Sequence, residues 1–91
     1  MNKYARVPEH VVDLHGYLKS EALLLLKTLI AEKKYSHVRI ITGKGTFRES
    51  GPVLNDFVKR FLEERNIYFY PAKIRDGGSG AFEVFFRTTQ D

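Results

Sequence analysis

The chain contains no cysteine. That single absence removes a disulfide framework, a thiolate zinc site and a cysteine nucleophile together. A small domain that folds without such cross-links is expected in the cytosol. Long apolar runs are missing as well. The longest unbroken one, Ala22 to Leu26, falls far short of the roughly 20 residues that cross a bilayer, so no membrane association is expected. Met1 to Pro8 carry charge and no hydrophobic stretch of signal-peptide type. No internal repeat, low-complexity tract or interdomain linker interrupts the sequence. No two histidines stand at metal-ligand spacing, and no carboxylate cluster of the two-metal nuclease kind occurs. One further absence is local. Lys33, Lys34, Arg39, Lys44 and Arg48 lie in a stretch with no acidic residue, which suits either an anionic partner or a solvated basic patch.

What is present fits one domain. Ninety-one residues are too few for two, and a chain this size buries only about 60–65% of its unfolded surface, so its core must be well patterned. With 43% hydrophobic and 29% charged residues, the composition excludes disorder for the bulk of the chain. The net charge of +4 and pI near 9.5 favour anionic partners without requiring one.

Residues 1–10 read as a loose lead-in, 11–87 as the domain and 88–91 as a fraying tail. Val11 to Leu14 is a short β-type run that ends at Gly16. A helix of about 16 residues follows, with Ala22, Leu25, Leu26, Leu29 and Ile30 on one stripe. His37 to Thr42 is a second strand, rich in β-branched residues and stopped by Gly43. After a loop over 43–51, Pro52 sits where a first helical residue belongs, with Ser50 or Gly51 as cap. Val53, Leu54, Phe57, Val58, Phe61 and Leu62 form the buried stripe of that second helix, which Asn66 ends. Ile67 to Ile74 is a third strand. Asp76 to Gly80 is a hairpin-type turn into a fourth, Ala81 to Arg87. The order is βαβαββ. It predicts an α/β two-layer sandwich: a four-stranded mixed sheet, three strands parallel by right-handed crossovers, both helices on one face and the other face open.

Strands that run parallel end on the same sheet edge, and ligands bind in the crevice there. Three glycine-bearing segments follow strand ends: Asp13-Leu14-His15-Gly16, Thr42-Gly43-Lys44-Gly45 and Asp76-Gly77-Gly78-Ser79-Gly80. Glycines flanking Lys44 let backbone amides approach an anion while the ammonium adds a point charge, and the second helix can aim its positive end at the same place. The segment lacks the Gly-Lys-Ser/Thr spacing of a P-loop, and a plain strand-to-helix loop with an exposed lysine also satisfies it. Asp13 and His15 are i and i+2 in extended chain, so they point the same way. A carboxylate beside an imidazole fixes its tautomer for general acid–base work, although a polar strand terminus with Asp capping amides reads the same. His10 and His37 read as surface or edge residues, and Glu21 as a helix-dipole partner in the first turn. Tyr68, Tyr70 and Phe85 alternate with core positions, so they line the open sheet face, either covering it or offering surfaces on which bases stack.

Taken together, Asp-Leu-His-Gly ending a first strand, Gly-Lys-Gly after a second and Gly-Gly-Ser-Gly-Ala opening the last strand resemble the Smr (small MutS-related) domain family, as does Glu21-Ala22 inside the first helix. The resemblance spans residues 11 to 87. It implies a fold similar to the C-terminal domain of translation initiation factor 3 and nucleic-acid binding. Smr domains are known as nicking endonucleases on DNA and as endonucleases on RNA, including mRNA on stalled ribosomes. The implied partners are therefore RNA or DNA, with the ribosome or a partner protein beyond them. By position, Asp13 and His15 become candidate catalytic residues. Thr42, Gly43, Lys44, Gly45, Arg48, Gly77, Gly78, Ser79 and Gly80 become the phosphate-binding set. Two positions depart from the family pattern. Thr42 stands where many members have histidine, which puts a second acid–base group in doubt. Leu18 stands where a threonine often caps the first helix, a loss of about 1 kcal/mol unless another group substitutes.

The expected activity is phosphodiester cleavage with His15 as base or acid, oriented by Asp13, and Lys44 with the loop amides stabilising charge on the phosphate. On RNA the 2′-OH is an internal nucleophile and no metal is required. DNA nicking needs an activated water and calls for a divalent cation, magnesium or manganese, whose ligands the sequence does not identify. The alternative is a binding module without catalysis that delivers a partner to DNA or RNA.

Overall fold

The computed structural model describes residues 7–43, 53–76 and 78–86. Strand β1 (His10–Asp13) leads to helix α1 (Lys19–Glu32), strand β2 (His37–Ile41), helix α2 (Val53–Glu64), strand β3 (Tyr68–Pro71) and strand β4 (Ala81–Phe85). The sheet order is β1-β2-β4-β3. β1 pairs parallel with β2, and β4 runs antiparallel to both of its neighbours. β1, β2 and β3 thus share one direction, as expected for a mixed sheet with two strand–helix–strand units.

The position of β4 is the feature that element order alone does not give. It sits between β2 and β3, where four of its five residues are buried. The most apolar strand takes the centre, and β3, with exposed Tyr68 and Tyr70, takes the edge. β3 is also shorter than the expected Ile67–Ile74, because pairing stops once the Ala72 amide has reached Ala81 O at 3.0 Å. The connection that follows is no tight hairpin turn. It contains two short 3₁₀ segments, Ile74–Asp76 and Gly78–Gly80, and is closed by the Gly78 amide on Lys73 O at 2.9 Å.

Leu18 precedes helix α1 as an extended N-cap with no side-chain oxygen to offer. The missing cap is replaced from the other side. The Glu21 carboxylate accepts the Leu18 amide at 2.9 Å, satisfying one of the free donors at the helix start. Lys33 ends the helix in the left-handed region, its amide on Leu29 O. Ala22, Leu26 and Leu29 are buried, while Leu25 and Ile30 pack against them half-exposed. Helix α2 buries Val58, Phe61 and Leu62 and ends before Asn66, which is also left-handed at φ 57°. The cap predicted at Ser50 or Gly51 lies outside the described residues.

These stripes meet Val12, Leu14, Val38, Ile40, Phe82 and Val84 in one core cluster. Alternation along the strands puts those residues on the helix-covered face. Val11, Asp13, His37, Arg39, Glu83, Phe85, Tyr68 and Tyr70 lie on the other. Among the described residues the sandwich therefore has two layers, with no helix on the other sheet face. Among the described residues no helix is long and apolar enough to cross a membrane.

Candidate nucleic-acid interface

The three glycine-bearing segments meet at one sheet edge because the ladder continues past each strand end. The Leu14 amide reaches Ile41 O at 2.6 Å, and the Thr42 and Gly43 amides both donate to Gly80 O, at 2.8 and 3.0 Å. Leu14 is fully buried and anchors the first segment. The residues on either side of it consequently point away from the core. A turn closed by the Tyr17 amide on Leu14 O at 2.9 Å follows, and Gly16 takes the positive φ of 84° it needs. Gly43, at φ 85°, brings the second segment against the first: a Cβ there would lie 3.5 Å from the His15 Cβ.

Asp13 and His15 form a pair at this junction. Asp13 Oδ1 lies 2.7 Å from His15 Nδ1 and also accepts the His15 amide at 3.1 Å. The bond from the ring, and after it the bond from the amide, hold the Asp13 carboxyl below its ordinary value, against a small opposing effect of burial. An ionised Asp13 accepts from a protonated Nδ1, which leaves Nε2 as the free acceptor of the neutral ring. The pair is open to solvent, with side chains 72% and 51% exposed for His15 and Asp13.

Thr42 is placed differently. It is buried, and its hydroxyl lies 3.3 Å from Gly80 O and 3.1 Å from Gly43 O while accepting from Asn55 Nδ2 at 2.9 Å. The same Asn55 amide donates to Ser79 O at 3.0 Å. Thr42 and Asn55 thus fasten α2, the end of β2 and the third glycine segment together beneath the edge. With its amide on Gly80 O, Gly43 contributes its backbone shape and its closeness to His15 rather than a free donor. Gly78 is also left-handed, at φ 55°, Ser79 is exposed, and Gly80 is buried as the shared acceptor. Lys44, Gly45, Arg48 and Gly77 lie outside the described residues. Asn55 was missed in the sequence because its neighbours mark only a helix. Its hydrogen-bonding side chain next to the buried stripe was the available signal.

Two expectations about charge are corrected. His37 is not a surface histidine. It is buried, stacked on Phe85 at 4.4 Å, with Nε2 2.6 Å from Glu83 Oε1. Arg39 does not serve the basic patch, because its Nε donates to Glu83 Oε2 at 2.7 Å and its Nη2 lies 3.5 Å from Asp76 Oδ2. The reason lies in the register, which sets Arg39 directly opposite Glu83 and His37 one row away, opposite Phe85. A lone glutamate between Phe82 and Val84 in an apolar strand was the readable sign. His10, by contrast, is half-exposed and stacks on Tyr35 at 4.6 Å. Among the described residues no three histidine, aspartate or glutamate side chains converge on a point, so they do not fit a divalent cation.

This edge and fold have relatives. A model of the Smr domain matches residues 12–87. An uncharacterized protein of Treponema pallidum (strain Nichols) is 37% identical over 87 residues, which is 89% of this chain and 43% of that protein. The chain therefore spans under half the length of that relative. Among solved structures, the Smr domain of Thermus thermophilus MutS2 is similar with a TM-score of 0.72 and 29% identity, covering 86% of this chain and 98% of that one. YdaL, a stand-alone small MutS-related protein from Escherichia coli, has a TM-score of 0.71 at 24% identity, covering 94% of this chain and 71% of its own. At that lower identity the likeness is one of fold.

Proposed function

Given that the chain belongs to the Smr domain family, a family of nucleic-acid-binding domains, we propose that it binds nucleic-acid phosphates at the glycine-bearing edge and cleaves the backbone there as an endonuclease. The observation that carries this reading is the exposed Asp13–His15 pair, at 2.7 Å, set against Gly43 where the three segments join.

On RNA the step is an internal transesterification. His15 Nε2 takes the proton of a 2′-OH, the O2′–P bond forms and the P–O5′ bond breaks, and the departing oxygen is protonated from water. Asp13 holds the ring by Nδ1 and stabilises the imidazolium that forms. Lys44 and the backbone amides of residues 44–45 follow Gly43 in sequence and supply positive charge to the phosphate. The third segment, its Ser79–Gly80 end held by Thr42 and Asn55, borders the same edge.

A second reading, binding without cleavage, is favoured by Thr42. Its hydroxyl is buried and fully used within the fold, so it supplies no second acid–base group. Labelled single-stranded RNA and supercoiled plasmid, incubated with Mg²⁺, Mn²⁺ or EDTA, separate the two. Cleavage that disappears in His15→Ala supports the endonuclease. Uncut substrate that still shifts on a gel, less so with Lys44→Ala, establishes the binding module instead.

A further inference from the structure

The sheet face turned away from the helices is neither bare nor uniformly apolar. Tyr68 and Tyr70 stand two residues apart on β3, 66% and 37% exposed, with ring centroids 5.9 Å apart. Both rings also approach Phe85, at 5.6 and 5.5 Å, and Phe85 stacks on His37. The result is a continuous aromatic strip whose outer members are open. Beside it the charged groups are closed on themselves. Each Glu83 oxygen has a partner, His37 for one and Arg39 for the other, and Arg39 reaches Asp76 as well. The two carboxylates described on this strip, Glu83 and Asp76, are both held by Arg39. Lys73 and Arg75, which follow β3, are exposed and make no ion pair among the described residues.

The strip is also continuous with the edge. Tyr70, Glu83, Arg39 and Val11 lie in one row across the sheet, and Asp13 follows Val11 by two residues on the same face. Two residues of rise and three strand spacings separate Tyr70 from Asp13, about 7 Å along and 14 Å across, or about 16 Å in all. At the 3.4 Å rise of a stacked strand this is about five nucleotide steps, and fewer for an extended one.

We propose that this face is a stacking platform for single-stranded nucleic acid, with Tyr68 and Tyr70 holding bases of the same strand whose phosphate lies at the Asp13–His15 edge. The proposal rests on the nucleic-acid reading above and adds where the neighbouring nucleotides go and that they are unpaired. An apolar protein partner would have to dehydrate two tyrosine hydroxyls and the Arg39–Asp76 pair. A base needs only a ring face and leaves those groups wet. Bases held in a duplex are stacked on each other and have no face to offer, so the platform selects single strands.

The test uses the full chain and a fluorescent 2′-O-methyl oligonucleotide, which lacks the attacking hydroxyl, as a single strand, as its duplex and as an abasic strand of equal length. Tyr68→Thr with Tyr70→Thr keeps β propensity while removing both rings, and Tyr68→Phe with Tyr70→Phe keeps the rings. The double threonine variant is expected to weaken single-strand binding about tenfold or more, with duplex and abasic binding and the salt slope unchanged. The phenylalanine variant stays within about twofold of the parent, since ring faces do the stacking. Single-strand affinity unchanged by the threonine pair overturns the platform and leaves the edge reading standing. An equal loss on all three ligands overturns it too, since rings that stack bases have no hold on an abasic strand. A parent chain that binds none of the three at low salt overturns the edge reading and the platform together.

Discussion

Removing the Glu83 carboxylate should destabilise this domain more than any single change at its edge. In Glu83→Ala the Arg39 guanidinium, 17% exposed, and the His37 ring, 10% exposed, both lose their nearest acceptor with little water to replace it. Breaking a buried charge pair from one side costs about 3–5 kcal/mol. For 91 residues the total stability is about 5–14 kcal/mol, so the change takes a large share of it. At about 4–8 °C per kcal/mol for a domain of this size, the midpoint should fall by at least about 12 °C. Glu83→Gln keeps the side chain's shape and an acceptor for the Arg39 Nε–H, while its NH2 faces His37 Nε2, which must then accept, so it should cost about 1–2 kcal/mol, less than Glu83→Ala. Arg39→Met combined with Glu83→Leu removes the charges together and should be milder than the sum of its single changes. Urea and thermal unfolding followed by circular dichroism give the values for all five variants, the two single changes of the double variant included. A Glu83→Ala loss under 1 kcal/mol, or strictly additive behaviour in the double variant, would refute the reasoning, because either means that the network is solvated rather than buried.

Three further outcomes follow from particular contacts. The Asp13 carboxyl, titrated by NMR, should have its midpoint below the ordinary aspartate range near pH 4, and His15→Ala should raise it. Because the folded value is the lower one, the pair's modest contribution to stability is present above about pH 4 and is lost as pH falls through the lowered midpoint; a midpoint unmoved by His15→Ala contradicts the contact. Asn55→Ala removes the donor shared by Thr42 and Ser79 and should cost about 1 kcal/mol, read by urea unfolding, and it should weaken nucleic-acid binding at the proposed edge by displacing the third glycine segment. Leu18→Thr puts an acceptor on an exposed, extended N-cap and should raise stability by about 0.5–1 kcal/mol, seen as a midpoint a few degrees higher.

The features that local chemistry dictates were legible in the sequence. The helix stripe of Ala22, Leu26 and Leu29, the stop at Asn66, the strand containing Ile40 and the alternation of Tyr68 and Tyr70 with Phe69 each follow from one element's own residues. So did the meeting of three glycine segments on one edge, which needs only the shared direction of three strands. What was not legible depends on register between strands distant in sequence. Arg39 and Glu83 are 44 residues apart, and nothing local shows that one faces the other. For the same reason His37 looked like an exposed edge residue, and Thr42 looked free for a phosphate although Asn55 and Gly80 claim its hydroxyl. The central place of β4 is likewise a matter of competition for burial among strands. Leu18 is an intermediate case. The lost cap was readable, and so was Glu21, but Glu21 reads as a helix-dipole partner until its carboxylate is found on the Leu18 amide.

The most direct test of the edge assignment is NMR mapping with a short uncleavable single strand added to the isotopically labelled chain at low salt. Amide shifts concentrated at Leu14, His15, Gly16, Gly43, Lys44, Gly78 and Ser79, and weakened by added salt, are the predicted result. Shifts that leave Leu14 to Gly16 and Gly43 unmoved while another surface responds would contradict the assignment, and with it the role given to Asp13 and His15.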